Sequence, residues 1–156
     1  MQNLKNLIQE LESVIPNQEI RNPSISKSAV GWHIEHSLLT LNLVVNAIEK
    51  SDPKTYKWKF SFIRMLVMTT KKIPRGKARA PKMVQPATDF DNDTLKSHLE
   101  KAKINIQKLQ TIAPNHYFEH PYFGHLKLKP TIRFLEIHTH HHVNIIKDII
   151  KSNPIL

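Results

Sequence analysis

Phe134-Leu-Glu-Ile-His138-Thr-His140-His141-His142-Val-Asn-Ile-Ile-Lys-Asp-Ile-Ile150 carries four histidines within five residues. Phe134, Leu135, Ile137, Ile145, Ile146, Ile149 and Ile150 recur at the spacing of one helix face. At about 100° per residue, His138 and His142 fall within roughly 20° of the centre of that apolar arc. His141 sits on its flank and His140 points to the far side. Two imidazoles at i and i+4 therefore face the interior one turn apart. That spacing lets both reach one metal ion, as in zinc-binding helices. The competing reading is a pair of core histidines that only hydrogen-bond their neighbours, and two unpartnered imidazoles in a core are costly. A site also needs a third ligand from elsewhere in the chain.

Composition narrows the possibilities. The 156 residues fit one domain, 1–156, large enough to bury a core without staples. There is no cysteine, which excludes disulfides, thiolate zinc sites and a cysteine nucleophile. Met1-Gln-Asn-Leu-Lys-Asn-Leu7 lacks the apolar core of a signal peptide, so a cytoplasmic location is expected. No apolar run approaches the length of a membrane span, so no membrane partner is expected. Three glycines leave no room for a Gly-rich phosphate loop. The formal net charge is +10, and its source is local. Residues 54–82 hold ten Lys and Arg (Lys54, Lys57, Lys59, Arg64, Lys71, Lys72, Arg75, Lys77, Arg79, Lys82) and no Asp or Glu. Such a block suits an anionic partner, either nucleic acid or an acidic small molecule, or a solvated basic loop.

Outward from the histidine helix, apolar periodicity predicts further helices. Leu4, Leu7, Ile8, Leu11, Val14 and Ile15 mark one over 2–15, ended by Pro16. Residues 16–26 form a connection, and Ser26 or Ser28 is placed to cap the next helix. That helix, 28–50, is apolar over so broad an arc that it must be covered from more than one side. His33 and His36 lie within the arc, and either can supply the third ligand; the wheel slightly favours His33. The run 55–70, with Tyr56, Trp58, Phe60 and Phe62, reads as a short helix packed across the others, with a strand as the alternative. Pro74, Gly76, Pro81 and Pro86 make 71–90 an extended surface excursion. Asp91-Asn-Asp93 caps a helix over about 93–112. Residues 115–129, rich in aromatic and histidine side chains, form a packed connection. The last helix begins near Pro130 and runs to about 152. Four long helices, one short one and one long basic loop give an all-α bundle.

Three stretches resemble the DinB-like superfamily, the DinB/YfiT group of metal-dependent enzymes. Ser28-Ala-Val-Gly-Trp-His-Ile-Glu-His36-Ser-Leu38 is similar to the family's second-helix segment. Ile137-His138-Thr-His-His141-His142 is similar to its H-x-x-H-H signature. His120-Pro-Tyr-Phe-Gly124 is similar to the H-P-x-F-G turn of an uncharacterised subfamily. The resemblance spans the chain from the first helix to the C-terminus. It implies an up-down-down-up four-helix bundle with long crossovers. It also implies a divalent ion, zinc or nickel, on His36, His138 and His142, and so chooses His36 over His33 by analogy. Several relatives are similar to thiol S-transferases that use a low-molecular-weight thiol, others to hydrolases, and relatives often form homodimers. This chain departs from the signature at Val143-Asn144-Ile145, where the family often continues with arginine-glycine-glutamine, so its substrate contacts are expected to differ.

Three neutral imidazoles around a metal leave a position open for water or substrate. The reaction class is then metal-assisted attack on an electrophile, by hydrolysis or by thiol transfer. His141, at the edge of the apolar face, is the candidate general base, and His116 and His120 are candidates for lining the mouth. Two other readings compete. One is a nucleic-acid-binding module that uses the basic segment with Tyr56, Trp58 and Phe60 interleaved. The other is a metal-free bundle whose histidines are structural.

Overall fold

The computed structural model describes residues 1–76, 80–86 and 91–152. Its five α-helices are α1 Gln2–Ser13, α2 Val30–Glu49, α3 Phe62–Thr70, α4 Asn92–Lys108 and α5 Leu128–Lys151. Leu4, Leu7, Ile8 and Leu11 bury the inner stripe of α1. Helix α2 packs on both α4 and α5, and α1 packs on the same two helices. This double coverage explains the breadth of the apolar arc in α2, where Ile34, Leu38, Leu41, Val45 and Ile48 are all fully buried. No helix among the described residues is long and apolar enough to cross a membrane.

The fold is mostly helical, as expected of an all-α chain, with one small two-stranded sheet added among the described residues. Residues 115–129 are not simply a connection, because β1 Tyr117–His120 and β2 Gly124–Lys127 pair as an antiparallel hairpin. His120 pairs with Gly124 across a three-residue loop. Gly124 has φ +69°, a left-handed conformation that glycine adopts without steric cost. The His120 Nδ1 atom accepts the backbone N–H groups of Tyr122 and Phe123 at 3.1 and 3.2 Å. The His-Pro-Tyr-Phe-Gly stretch thus closes a turn, and Phe123 and Leu126 anchor the hairpin in the core.

Several boundaries differ from the sequence reading. Helix α5 starts at Leu128, with Pro130 in its third position, because the missing proline N–H costs nothing within the first turn. Helix α1 stops at Ser13 and a 3-10 turn, Ile15–Asn17, carries Pro16. Helix α4 ends at Lys108, and Asp91 caps it by accepting from the Thr94 backbone N–H at 2.7 Å. Neither Ser26 nor Ser28 caps α2; Ala29 occupies that position without a side-chain bond.

The largest departure lies in 55–70. Only Phe62–Thr70 is helical. The preceding residues run extended beside the hairpin, held by Lys57 N–H donating to His125 Nδ1 (2.9 Å). The Arg64 guanidinium donates to the Lys59 and Phe123 carbonyls at 2.7 and 3.1 Å. The segment does not bury its apolar side chains: Val67 is the buried residue of α3, whereas Trp58, Phe60 and Phe62 are 66, 65 and 62% exposed. Of the expected basic excursion 71–90, residues 77–79 and 87–90, with Lys77 and Arg79, lie outside the described residues. The described part is tied down by Arg75, which donates to Asp148 Oδ2 at 2.7 Å.

Candidate metal centre

The histidines of α2 and α5 meet where the two helices pack. One ring nitrogen from each of His36, His138 and His142 lies within 4.8 Å of the others, a grouping that can hold a metal ion. The His36 and His142 residues are buried, and His138 is half-buried with its Nδ1 fully enclosed. His36 Nε2 lies 3.2 Å from His138 Nε2. Two nitrogens each about 2.0–2.1 Å from a tetrahedral zinc ion stand about 3.3 Å apart. The observed separation of this pair matches one edge of such a tetrahedron.

Protonation logic follows from the partners. His36 Nδ1 faces the Val84 carbonyl oxygen at 2.7 Å. A carbonyl only accepts, so the imidazole proton sits on Nδ1 and the Nε2 lone pair faces His138. Without an ion, His138 donates Nε2–H to that lone pair. Its own Nδ1 has no hydrogen-bond partner. Burial holds His36, His138 and His142 below the ordinary histidine range, and neighbouring imidazoles push His138 and His142 further down. The three rings are therefore neutral at pH 7, the state a divalent ion requires. Three neutral imidazoles with a coordination-length edge between two of them fit a divalent cation.

His33 and His36 both reach the cluster, so the wheel's ambiguity reflected two inward side chains. They differ in placement. His33 stands behind His142, with the two Nδ1 atoms 3.0 Å apart. His33 Nε2 lies 3.0 Å from Ser26 Oγ. His141 flanks His142 edge-on with ring centroids 5.1 Å apart. Burial first, then Arg75, His36 and His140, lower its pKa to about 4. His140 is exposed.

The other sequence candidates are used elsewhere. His120 organises the hairpin turn and stacks on Phe123 at 4.0 Å, with a pKa lowered to about 4 by burial. Phe134 packs against both rings, 4.6 Å from His120 and 5.6 Å from His138. His116 Nδ1 lies 3.1 Å from the Ile48 carbonyl and ties the hairpin to the end of α2. Glu35 bonds His98, and Glu136 bonds the Met1 amino group, so neither carboxylate serves the cluster.

Two contributors escaped the sequence reading. Trp32 stacks on His36 at 4.9 Å and 16°; its i, i+4 spacing to His36 was the available signal, hidden inside a broad apolar arc. The Val84 carbonyl left no signal, since a backbone acceptor has no residue type. Comparison with family models, with curated proteins and with solved structures finds no match for this chain.

Proposed function

We propose that the chain is a DinB-like, up-down-down-up bundle acting as a metal-dependent enzyme. Its divalent ion, zinc or nickel, would be held by His36, His138 and His142. The observation that supports this most is the 3.2 Å approach of His36 Nε2 to His138 Nε2 in a cluster without carboxylates. Such an ion, when bound, acidifies a water or thiol placed at its open position. The substrates proposed are a low-molecular-weight thiol with an electrophile, or a hydrolysable small molecule.

The chain's own residues have distinct parts in this reading. The Val84 carbonyl and the Trp32 ring orient His36. Phe134 and Phe123 shield the His138 side from water. His141 is neutral at pH 7 and is the proposed proton acceptor. Its low basicity suits it to take a proton only from a nucleophile already made acidic. Arg75, ion-paired with Asp148, adds a positive charge that is felt at His141.

Elemental analysis of untagged protein, alongside a His138→Ala/His142→Ala variant, tests the site. The expected result is roughly one divalent ion per chain in the wild type and none in the variant. Wild-type protein that stays metal-free after addition of zinc or nickel overturns the reading.

A further inference from the structure

We propose that His33 is a positioning residue of the metal centre. It accepts the His142 Nδ1–H in the tautomer that leaves His142 Nε2 free to ligate, and Ser26 in turn holds His33. The inference rests on the assignment of His36, His138 and His142 as ligands, and it gives His33 a role distinct from theirs.

The geometry is a short buried chain. His33 is 4% exposed. Its Nδ1 faces His142 Nδ1 at 3.0 Å and its Nε2 faces Ser26 Oγ at 3.0 Å. Two facing ring nitrogens at that distance form a bond only if one carries a proton and the other a lone pair. Both rings are neutral, so a single choice propagates along the chain. If His142 donates from Nδ1, its Nε2 holds a lone pair and can ligate. His33 Nδ1 then accepts, the His33 proton lies on Nε2, and Ser26 Oγ accepts it. The opposite polarity places the His142 proton on Nε2 and removes that nitrogen from the donor set. Ser26 Oγ accepts the Ser28 N–H at 3.1 Å and retains a second lone pair for His33, so the ligating polarity is fully satisfied; its hydroxyl can instead donate to His33 in the opposite polarity, and an ion on His142 Nε2 would fix the choice.

The three ligands are supported unequally. His36 leans on a carbonyl that can only accept, which settles its tautomer permanently. The Nδ1 of His138 has no partner. His142 leans on a group that can donate or accept, so its competence depends on His33. The partner that receives a ligand's second N–H sets its orientation and basicity, and losing such a partner typically weakens metal affinity by about 10–100-fold. His33 is not part of the three-histidine grouping, and its two ring nitrogens face His142 and Ser26.

The test is equilibrium competition for zinc with a chromophoric chelator, on the full chain and its His33→Ala, His33→Asn and Ser26→Ala variants. It is paired with long-range nitrogen–proton correlation spectra of the histidine rings in the zinc-loaded wild type. His33→Ala should keep one zinc per chain but bind it about 10–100-fold more weakly. His33→Asn, whose amide oxygen can accept from His142, should recover part of the loss, and Ser26→Ala should lose less than His33→Ala. The spectra should show His142 protonated on Nδ1 and metal-bound through Nε2. Unchanged zinc affinity in His33→Ala, or a His142 bound through Nδ1, overturns the inference while leaving the metal centre standing. A wild type that takes up no zinc overturns both together. Should His33→Ala fail to fold, the wild-type spectra and Ser26→Ala decide between the same outcomes.

Discussion

Helix α2 buries polar chemistry on two faces, and the two are built in opposite ways. Toward α5 it presents His33 and His36 to His138 and His142, with four imidazoles and no carboxylate among them. Toward α4 it presents Glu35 to His98, with Oε1 2.6 Å from Nδ1, followed by Asn42, which donates to the His98 carbonyl and accepts from Asn105. The second face contains acid and base together and so comes close to satisfying itself; only Glu35 Oε2 is left over. The first face contains bases alone. It can neither hold a proton's charge in its low-dielectric setting nor pair every ring nitrogen. Residue types that are equally polar therefore lead to a structural tie in one place and, in the other, to a cluster of three histidines that can hold a cation.

Three measurements sharpen or break this contrast. The largest effect belongs to the α4 face. His98→Leu leaves the buried Glu35 carboxyl without its partner, and urea unfolding at pH 7 should show a loss of about 2 kcal/mol. Zinc affinity should not change. A loss of zinc binding in this variant would mean that the two faces are one coupled network.

The second concerns pH in the metal-free protein. Burial, assisted at His33 and His141 by neighbouring positive groups, lowers the pKa of His33, His120 and His141 from 6.5 to about 4. Between those values the unfolded chain takes up protons that the native state refuses. Stability is therefore full above about pH 6.5 and falls as pH drops toward about 4. Glu35 works the other way. Desolvation outweighs the opposing pull of His98 and raises its pKa above 4.5, so its contribution is present below 4.5 and is lost as pH rises through the raised value. Glu35→Gln should thus make the acid loss steeper, as read from urea midpoints at successive pH values. An unchanged slope would remove Glu35 from the account.

The smallest effect is expected at the site. His138→Leu in the metal-free protein should change stability by about 1 kcal/mol or less, because relief of the unpartnered Nδ1 offsets the lost bond to His36. A much larger loss would give the cluster a structural role comparable with that of Glu35 and His98.

Much of the site could be read from residue order, and the reasons are local. His138 and His142 share a face because helical pitch alone puts i and i+4 together, and the isoleucines beside them show which way that face points. Asp91 marks the start of α4 because its side chain needs only a backbone N–H three residues on. The breadth of the apolar arc in α2 announced coverage from two sides before any neighbour was known. These inferences require nothing beyond one or two turns of chain.

The remainder depends on groups far apart in sequence. Which imidazoles His33 and His36 meet is decided by α5, 109 and 102 positions away along the chain. The acceptor for His36 is a carbonyl at Val84, set in place by a loop whose composition signalled only irregularity. The hairpin exists because a histidine ring gathers two N–H groups and a glycine takes positive φ, while propensity alone suggested a connection. The Trp58–Leu66 stretch shows the converse. Its residues are apolar enough to predict burial, yet the interior was already filled by α1, α2, α4 and α5, and most of its apolar side chains stay on the surface. Helical period and capping are encoded within a few residues. Which polar atom meets which, and which apolar face finds a partner, is settled only when the whole chain competes for one core.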